Sequence, residues 1–290
     1  MNNDKNNSQI GHLVIIGGHE DREGDKAVLT RFVELAGGKD QKIVVITAAS
    51  GEPDAMWKVY DDAFADLGVC NREHIHLESR ERANDPDIAR KIATARGIFM
   101  TGGDQRRLLS ILGGTAVDAE MHESYRKRGA CIAGTSAGAS AMSGHMLAAA
   151  TKEEEQEKGG VKLGAGFGLA QKVIIDQHFS ERGRLPRLLT VIAQNPYLLG
   201  VGIDENTALV IEAGNTLEVV GSGTVTIVDC RDMISDVAEV GEKDCPEILD
   251  VRLHLLPPGS RHTISGERES DRRVPRPIAE FLNNVTKRTT

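Results

Sequence analysis

One serine in this sequence has the surroundings of a nucleophile. Ser136 stands in the pentapeptide GTSAG (134–138), between the apolar run 130–133 and a series of small residues that can begin a helix. Glycine on both sides permits a sharp strand-to-helix turn, which lifts the hydroxyl out of the sheet. Free N–H groups at the helix start would favour a developing oxyanion. The pattern predicts a serine nucleophile, although an ordinary joint rich in small residues would have the same composition.

A serine hydroxyl is a weak nucleophile and needs a base within hydrogen-bond reach. His178 is the strongest candidate, because it follows an apolar strand directly and belongs to a polar Asp-Gln-His cluster. His254, within a later strand, and His262, in a charged loop, remain alternatives.

The third member of such a site is a carboxylate that holds the base, and it should lie at another strand end. Asp204 and Glu205 end the apolar stretch 199–204, while Asp104 and Asp176 compete at the same edge. The resulting order of serine, histidine and acid differs from the serine, acid, histidine order of the α/β-hydrolases.

The elements that must position these residues are short apolar strands that alternate with helices. Strands are predicted at 12–16, 43–47, 75–77, 98–101, 130–133, 173–175 and 199–204, with helices at 28–35, 56–67, 86–95, 108–112, 117–128 and 184–194. This alternation predicts an α/β fold with a mostly parallel sheet flanked by helices. Ligands bind beyond the carboxyl ends of such strands. Gly17-Gly18, 48–51, 102–105 and the Ser136 turn should therefore cluster at one edge.

The last third of the sequence has a different pattern. Hairpin strands are predicted at 208–211, 216–220 and 225–228, followed by a strand at 251–256 and a helix at 277–285. Without a repeat or a Pro/Ser-rich linker, residues 11–290 are predicted to form one α/β domain with an antiparallel C-terminal extension. Residues 1–10 are predicted to be a disordered tail.

Composition narrows the classes of function. The net charge is −8 and no basic stripe is present, so a nucleic-acid partner is not expected. No apolar run has membrane-spanning length, and the N-terminus lacks the apolar core of a signal peptide. The cysteines lack disulfide or metal-ligand spacing, which predicts free thiols in the cytoplasm: Cys70, Cys131, Cys230 and Cys245.

Four motifs in a fixed order resemble those of one family. They are GGDQ (102–105), GTSAGA (134–139), DQHF (176–179) with Arg182, Arg184 and Arg187, and GIDE (202–205) with Thr207-Ala208. Together they look like the cyanophycinase family of serine peptidases, which is related to peptidase E and similar in fold to class I glutamine amidotransferases. The resemblance extends from Gly17-Gly18 to about Asp229, and no catalytic position departs from the pattern.

The resemblance implies a triad of Ser136, His178 and Glu205. It also implies that the substrate pocket is lined by Gln105, Asp176, Gln177, Arg182, Arg184 and Arg187. The family's substrate is cyanophycin, a poly-aspartate whose β-carboxyls each carry an arginine, and the products released from a chain end are β-Asp-Arg dipeptides. Arginines suit the substrate carboxylates, and Asp176 with the glutamines suits the guanidinium.

The backbone N–H of Ala137 and a second donor at Gly103 are the expected oxyanion hole. No metal or cofactor is needed for this chemistry. The expected assembly is a homodimer, although the sequence does not determine the oligomeric state.

Three alternatives remain from the sequence alone. One is a peptidase E-like dipeptidase for short aspartyl peptides, against which the arginine trio and the glutamine pair argue. Another is an esterase of the α/β-hydrolase type, which lacks the expected HGGG oxyanion loop here. The third is a binding protein on the same scaffold, since fold does not fix function. The acidic run 153–157 is interpreted as a solvated face.

Overall fold

The computed structural model describes residues 10–149, 157–213, 215–264 and 274–286. The first half contains β1 (His12–Ile16), α1 (Ala27–Leu35), β2 (Ile43–Ile46), α2 (Pro53–Asp66), β3 (Arg72–Ile75), α3 (Arg80–Ala83), α4 (Pro86–Ala93), β4 (Gly97–Met100), α5 (Gln105–Leu112), α6 (Ala116–Lys127), β5 (Cys131–Thr135) and α7 (Ala137–Ala141). The second half contains β6 (His145–Ala149), β7 (Lys162–Ala165), β8 (Val173–Gln177), α8 (Leu185–Gln194), β9 (Leu199–Ile203), β10 (Thr207–Glu212), β11 (Thr216–Gly221), β12 (Val225–Asp229), β13 (Ile234–Ser235), β14 (Ile248–Leu249), β15 (Arg252–Leu256), β16 (Arg261–Thr263) and α9 (Arg276–Thr286).

The main sheet has eight strands in the order β16-β11-β10-β1-β5-β4-β2-β3. The five strands from β1 to β3 along this order are parallel to one another. The pairs β1–β10, β10–β11 and β11–β16 are each antiparallel. Every residue of β2, β4 and β5 is buried. That burial explains why these strands are continuous apolar runs, since both faces of a parallel sheet are covered. The predicted α/β class, with a mostly parallel sheet flanked by helices, is confirmed.

Two hydrophobic clusters cover the faces of this sheet. Leu13 and Ile15 of β1 point into a cluster with α4 to α7 and with strands of a second sheet. Val14 and Ile16, which alternate with them, point into the cluster formed with α1 and α2. The period of two along a strand therefore divides β1 between the two layers.

A second sheet of four strands, in the order β15-β12-β9-β8, carries the remaining predicted site segments. Strands β8 and β9 are parallel, and β12 and β15 are antiparallel to their neighbours. The carboxyl ends of β8 and β9 lead to His178 and Glu205 respectively. This second sheet therefore brings the candidate base and acid to the edge where β5 brings Ser136.

One part of the predicted hairpin series is wrong. Strand β10 pairs with β11 as expected, but β12 pairs with β9. The reason is Asp204, whose carboxylate accepts hydrogen bonds from the backbone N–H (2.9 Å) and the hydroxyl (2.7 Å) of Thr224. These bonds hold the start of β12 against the end of β9. The Gly-Ser-Gly turn signal is local and therefore gives no information about this pairing.

Some strands were not predicted, and some predictions fall on residues outside the described part of the chain. Strands β6, β7, β13, β14 and β16 were not predicted. Strand β7 is half-exposed, and β13, β14 and β16 contain only two or three residues. The predicted tail lies outside the described residues except for residue 10, and so does most of the acidic run 153–157. Within the described part of the chain, no helix is long and apolar enough to cross a membrane.

Candidate active site

The glycine-rich strand ends meet at one edge of the sheets, as predicted. A Cβ atom placed on Gly18 would lie 2.4 Å from Cε1 of His178, and one on Gly102 would lie 3.3 Å from Cβ of Ser136. A Cβ atom on Gly103 would lie only 2.0 Å from the carbonyl oxygen of Ala49. Side chains are therefore missing where these loops must approach one another and the two candidate residues Ser136 and His178.

Ser136 occupies a sharp turn between β5 and α7. Its φ of 51° and ψ of −109° are unusual for a non-glycine residue, and its backbone N–H donates to the carbonyl of Ile16 at 3.0 Å. A Cβ atom on Gly134 would lie 2.5 Å from the backbone of Gly138. The two glycines thus let α7 return directly over β5, and backbone strain is concentrated at the residue that carries the hydroxyl.

A buried glutamate supports this turn from behind. Glu20 accepts a hydrogen bond from the hydroxyl of Thr135 at 2.6 Å and another from the hydroxyl of Tyr60. Glu20 is buried, so both bonds form away from solvent. The residue before Ser136 is therefore tied to the loop that follows β1. Sequence reasoning assigned Glu20 no role.

His178 stands beside the serine in the position of a base. Its Nε2 atom lies 3.0 Å from Oγ of Ser136. Its backbone N–H donates to the carbonyl of Gly17 at 2.8 Å, and its φ is +48°. Gln177 also reaches the hydroxyl of Ser136, with Oε1 3.4 Å from Oγ.

Glu205 holds the other side of the imidazole. Its Oε1 atom lies 2.6 Å from Nδ1 of His178, whose side chain is 4% exposed. Burial lowers the pKa of His178, the charges of Arg182 and Arg184 lower it further, and Glu205 opposes both effects. The imidazole is therefore neutral at pH 7, so Nδ1–H donates to Glu205 while Nε2 is free to accept the serine proton.

His19 completes this hydrogen-bonded group, although its setting in the sequence gave no reason to select it. Its Nδ1 atom lies 3.0 Å from Oε2 of Glu205, and its ring meets that of His178 edge-on with centroids 5.1 Å apart. Burial would raise the pKa of Glu205, but the hydrogen bonds and charges of His178 and His19 hold it below its usual value. The signal that could have found His19 is its place directly after Gly17-Gly18.

The competing residues have other positions. Asp104 caps α5 by accepting from the backbone N–H of Arg106 at 2.8 Å. The side chain of Arg106 lowers the pKa of Asp104, and this backbone bond lowers it further. Asp204 holds the start of β12, as described above. His254 lies opposite Ile227 within the second sheet, and His262 lies opposite Leu217 in the main sheet. Among the described residues, the side-chain hydrogen bonds of Ser136 and His178 involve Gln177, Glu205 and each other, and none of these four competitors.

The predicted oxyanion hole remains a prediction with suitable geometry. Ala137 is the first residue of α7, where backbone N–H groups have no partner within the helix. Gly103 has a φ of +143° and lines the same cavity as Ser136. Neither position needs a side chain to present its N–H group.

A cavity of about 260 Å³ opens beside the serine. It is lined by Gly103, Gln105, Ser136, Ser140, Leu147, Val161, Gln177, Arg182, Arg184 and Arg187. Gln105 is fixed in place, since its Nε2 atom donates to the carbonyl of Leu147 at 2.9 Å. Five of the six predicted substrate-binding residues therefore meet around this cavity.

Asp176, the sixth predicted binding residue, does not line the cavity. Its side chain is 1% exposed and accepts from Nε of Arg187 at 2.6 Å, with a second bond to the same guanidinium and a contact of 3.4 Å to Arg184. The expectation that Asp176 faces a substrate guanidinium differs from this geometry. Because β8 is fully buried, the carboxylate of Asp176 instead binds the arginines of the cavity wall and holds them in place.

Comparison with known proteins gives a consistent result. The family model of peptidase family S51 matches residues 13–219. A protein named cyanophycinase from Synechococcus elongatus is 38% identical over 255 residues, 88% of this chain and 79% of that protein. A protein of the same name from Geminocystis herdmanii is 36% identical over 251 residues, 86% of this chain and 92% of that one.

A solved structure supports the fold. The crystal structure of a peptidase from an acI-B1 Actinobacterium has a TM-score of 0.66 to this chain and is 23% identical. The superposition covers 89% of this chain and 98% of the chain of that peptidase.

Proposed function

The chain belongs to peptidase family S51, a family of serine-type hydrolases, and we propose that it is an exopeptidase that hydrolyses the poly-aspartate backbone of cyanophycin and releases β-Asp-Arg dipeptides. One observation carries the proposal. A continuous contact runs from Ser136 through His178 to Glu205, and Ser136 lines a cavity whose wall also holds three arginines. The names of the relatives supply the substrate class.

The proposed reaction uses the triad in two stages. Oγ of Ser136 attacks the scissile carbonyl while Nε2 of His178 takes its proton, and Glu205 stabilises the imidazolium. The N–H groups of Ala137 and Gly103 receive the oxyanion. His178 then donates the proton to the leaving amine, and the acyl-enzyme forms. A water molecule, deprotonated by the same imidazole, releases the acid product and restores the serine.

The cavity supports selection of a small branched unit. Its volume is below the roughly 300–1,000 Å³ of most ligand pockets, so it suits one repeating unit better than a protein segment. Arg182, Arg184 and Arg187 offer planar donors to the carboxylate of the substrate arginine. Gln105 and Gln177 offer amide oxygens to the guanidinium, and Asp176 keeps the arginines in place.

The deciding experiment is parallel digestion of four substrates by the full chain, followed by mass analysis. Cyanophycin should release β-Asp-Arg, while poly-aspartate, casein and α-linked Asp-Arg peptides should be cleaved on the order of 10⁴-fold more slowly, because they leave polar groups of the site unpaired. Comparable cleavage of casein or poly-aspartate would contradict the proposal. Cleavage of short aspartyl peptides alone would favour a dipeptidase.

Three further parts of the proposal concern the whole chain. We propose that residues 11–290 form one domain, which the cluster shared by β1 and the second sheet supports. We also propose a cytoplasmic location, which the free cysteines of the described chain support. The proposed homodimer is tested by light scattering coupled to size-exclusion chromatography.

A further inference from the structure

Three possible metal ligands stand together at the outer end of the triad. His19, His178 and Glu205 each offer one ligand atom, and these atoms lie within 4.8 Å of one another. Two imidazole nitrogens and a carboxylate oxygen form a donor set that suits Zn²⁺ and similar transition metal ions, whereas Mg²⁺ and Ca²⁺ prefer oxygen ligands. We propose that these three residues bind a divalent transition metal ion, with Zn²⁺ as the type, and that the bound ion inhibits the enzyme.

The hydrogen bonds already aim the three groups at one another. Nδ1 of His178 lies 2.6 Å from Oε1 of Glu205, and Nδ1 of His19 lies 3.0 Å from Oε2. An ion at about 2.0–2.2 Å from each ligand requires these atoms to separate slightly. The side chain of His19 is 68% exposed and can make that adjustment, and solvent can fill the fourth position.

The local charges favour a cation on this side of His178. Glu205 supplies one carboxylate, and its backbone N–H donates at 3.2 Å to the carboxylate of Glu181, which brings a second. The arginines that would repel a cation line the cavity, next to Ser136. An ion at the His19 end therefore sits nearer to the acidic groups than one in the substrate cavity would.

Inhibition follows from the tautomer of His178 and so rests on its proposed role as base. Without metal, Nδ1 carries the single imidazole proton and Nε2 accepts from Ser136. A metal ion on Nδ1 needs that nitrogen's lone pair, so the proton moves to Nε2, and the imidazole keeps one N–H throughout. Nε2–H then donates to Oγ of Ser136 across the same 3.0 Å contact, and the hydroxyl has lost its base.

This mechanism predicts a specific kinetic pattern in the full chain. In a buffer that does not bind metals, Zn²⁺ should lower kcat for cyanophycin with little change in KM, because the arginine wall is not a ligand. EDTA should restore the rate, and Mg²⁺ or Ca²⁺ at equal concentration should leave it unchanged. With its rate normalised to its own metal-free rate, His19→Ala should need at least about tenfold more Zn²⁺ for half inhibition than the unaltered chain. Loss of an outer-shell partner already lowers metal affinity about tenfold or more, and loss of a direct ligand should lower it at least as much.

His76→Ala is the matched control. His76 also has a carboxylate partner, with Nε2 3.2 Å from Oε1 of Glu78, but it does not belong to the three-ligand group. Its variant should keep the Zn²⁺ sensitivity of the unaltered chain. Equal sensitivity of His19→Ala and the unaltered chain, or an active enzyme that Zn²⁺ does not inhibit, would overturn the proposal.

Direct metal binding separates this proposal from the proposed function. Competition with a chromophoric chelator should reveal one Zn²⁺ equivalent that His19→Ala and Glu205→Gln both lose while their circular dichroism spectra are retained. Retention of that equivalent in both variants would refute the site. Zn²⁺ binding that depends on His19, in a protein that does not cleave cyanophycin, would support the site and refute the substrate assignment.

Discussion

Two carboxylates near the serine each hold two nitrogen-bearing side chains, yet their surroundings differ. Glu205 is 25% exposed and holds the imidazole rings of His178 and His19. Asp176 is 1% exposed and holds the guanidiniums of Arg184 and Arg187, whose charge is permanent. In the proposed site, Glu205 therefore belongs to a reactive side that must pass on a proton, and Asp176 belongs to a binding side whose charge stays fixed.

The largest effect should come from breaking the reactive side alone. Ser136→Ala should lower kcat on the order of 10⁴-fold or more, as loss of a triad member does in other serine peptidases. The binding wall remains, so cyanophycin fragments should still bind to the variant in calorimetry. Near-normal turnover by a folded Ser136→Ala protein would show that another residue is the nucleophile.

The next effect should come from breaking the binding side. Asp176→Asn removes the shared partner of two buried guanidiniums and should lower the free energy of unfolding by about 3–5 kcal/mol, measured by urea denaturation. Any folded fraction should show a raised KM, because the arginines lose their fixed orientation.

Asp229→Asn is the control for this change. Asp229 is equally buried and pairs with Arg231 at 2.7 Å, away from the cavity lining. Its loss should reduce stability and leave KM unchanged. An Asp176→Asn variant with unaltered stability and KM would remove the contrast between the two carboxylates.

A smaller effect should follow from displacing the base without altering its chemistry. Gly18→Ala adds a Cβ atom 2.4 Å from Cε1 of His178, at a φ of +101° that alanine adopts with strain. A shift of the ring by about 1 Å can cost on the order of 10²-fold in rate. Gly38→Ala is the matched control, since its φ is +96° and nothing lies within 4 Å of its Cβ position. Equal loss of kcat in both variants would point to backbone strain instead of ring displacement.

The smallest effect should link the two sides. Because the pKa of His178 is lowered, kcat/KM should fall only as the pH drops below the ordinary imidazole value of 6.5. Arg182→Ala removes a positive charge that contributes to this lowering, so the acid limb should move to higher pH. Because Arg182 is exposed, solvent screens its contact with the substrate, and KM should rise no more than about fivefold. An unchanged pH profile would show that Arg182 does not act on the base.

The fold was predictable wherever burial dictated composition. β2, β4 and β5 are apolar because both faces are covered, and their positions followed directly from the sequence. β3 was placed three residues late, since its Arg-Glu-His start is half-exposed and polar. The Ser136 turn was also predictable, because a close crossing of α7 over β5 demands the glycines that stand two residues before and two residues after Ser136.

Tertiary structure decided what depends on contacts between distant residues. His19 and Glu205 are 186 residues apart, and the place of His19 after Gly17-Gly18 indicates the edge of the sheet but not its contact with Glu205. The sequence predicted the arginines and glutamines that line the cavity. Only the buried position of β8 shows that Asp176 points away from the cavity and binds Arg187. The pairing of β12 with β9 likewise depends on the carboxylate of Asp204. Sequence therefore determined which chemical groups reach this edge, because strand ends collect there, and three-dimensional packing determined which group faces which.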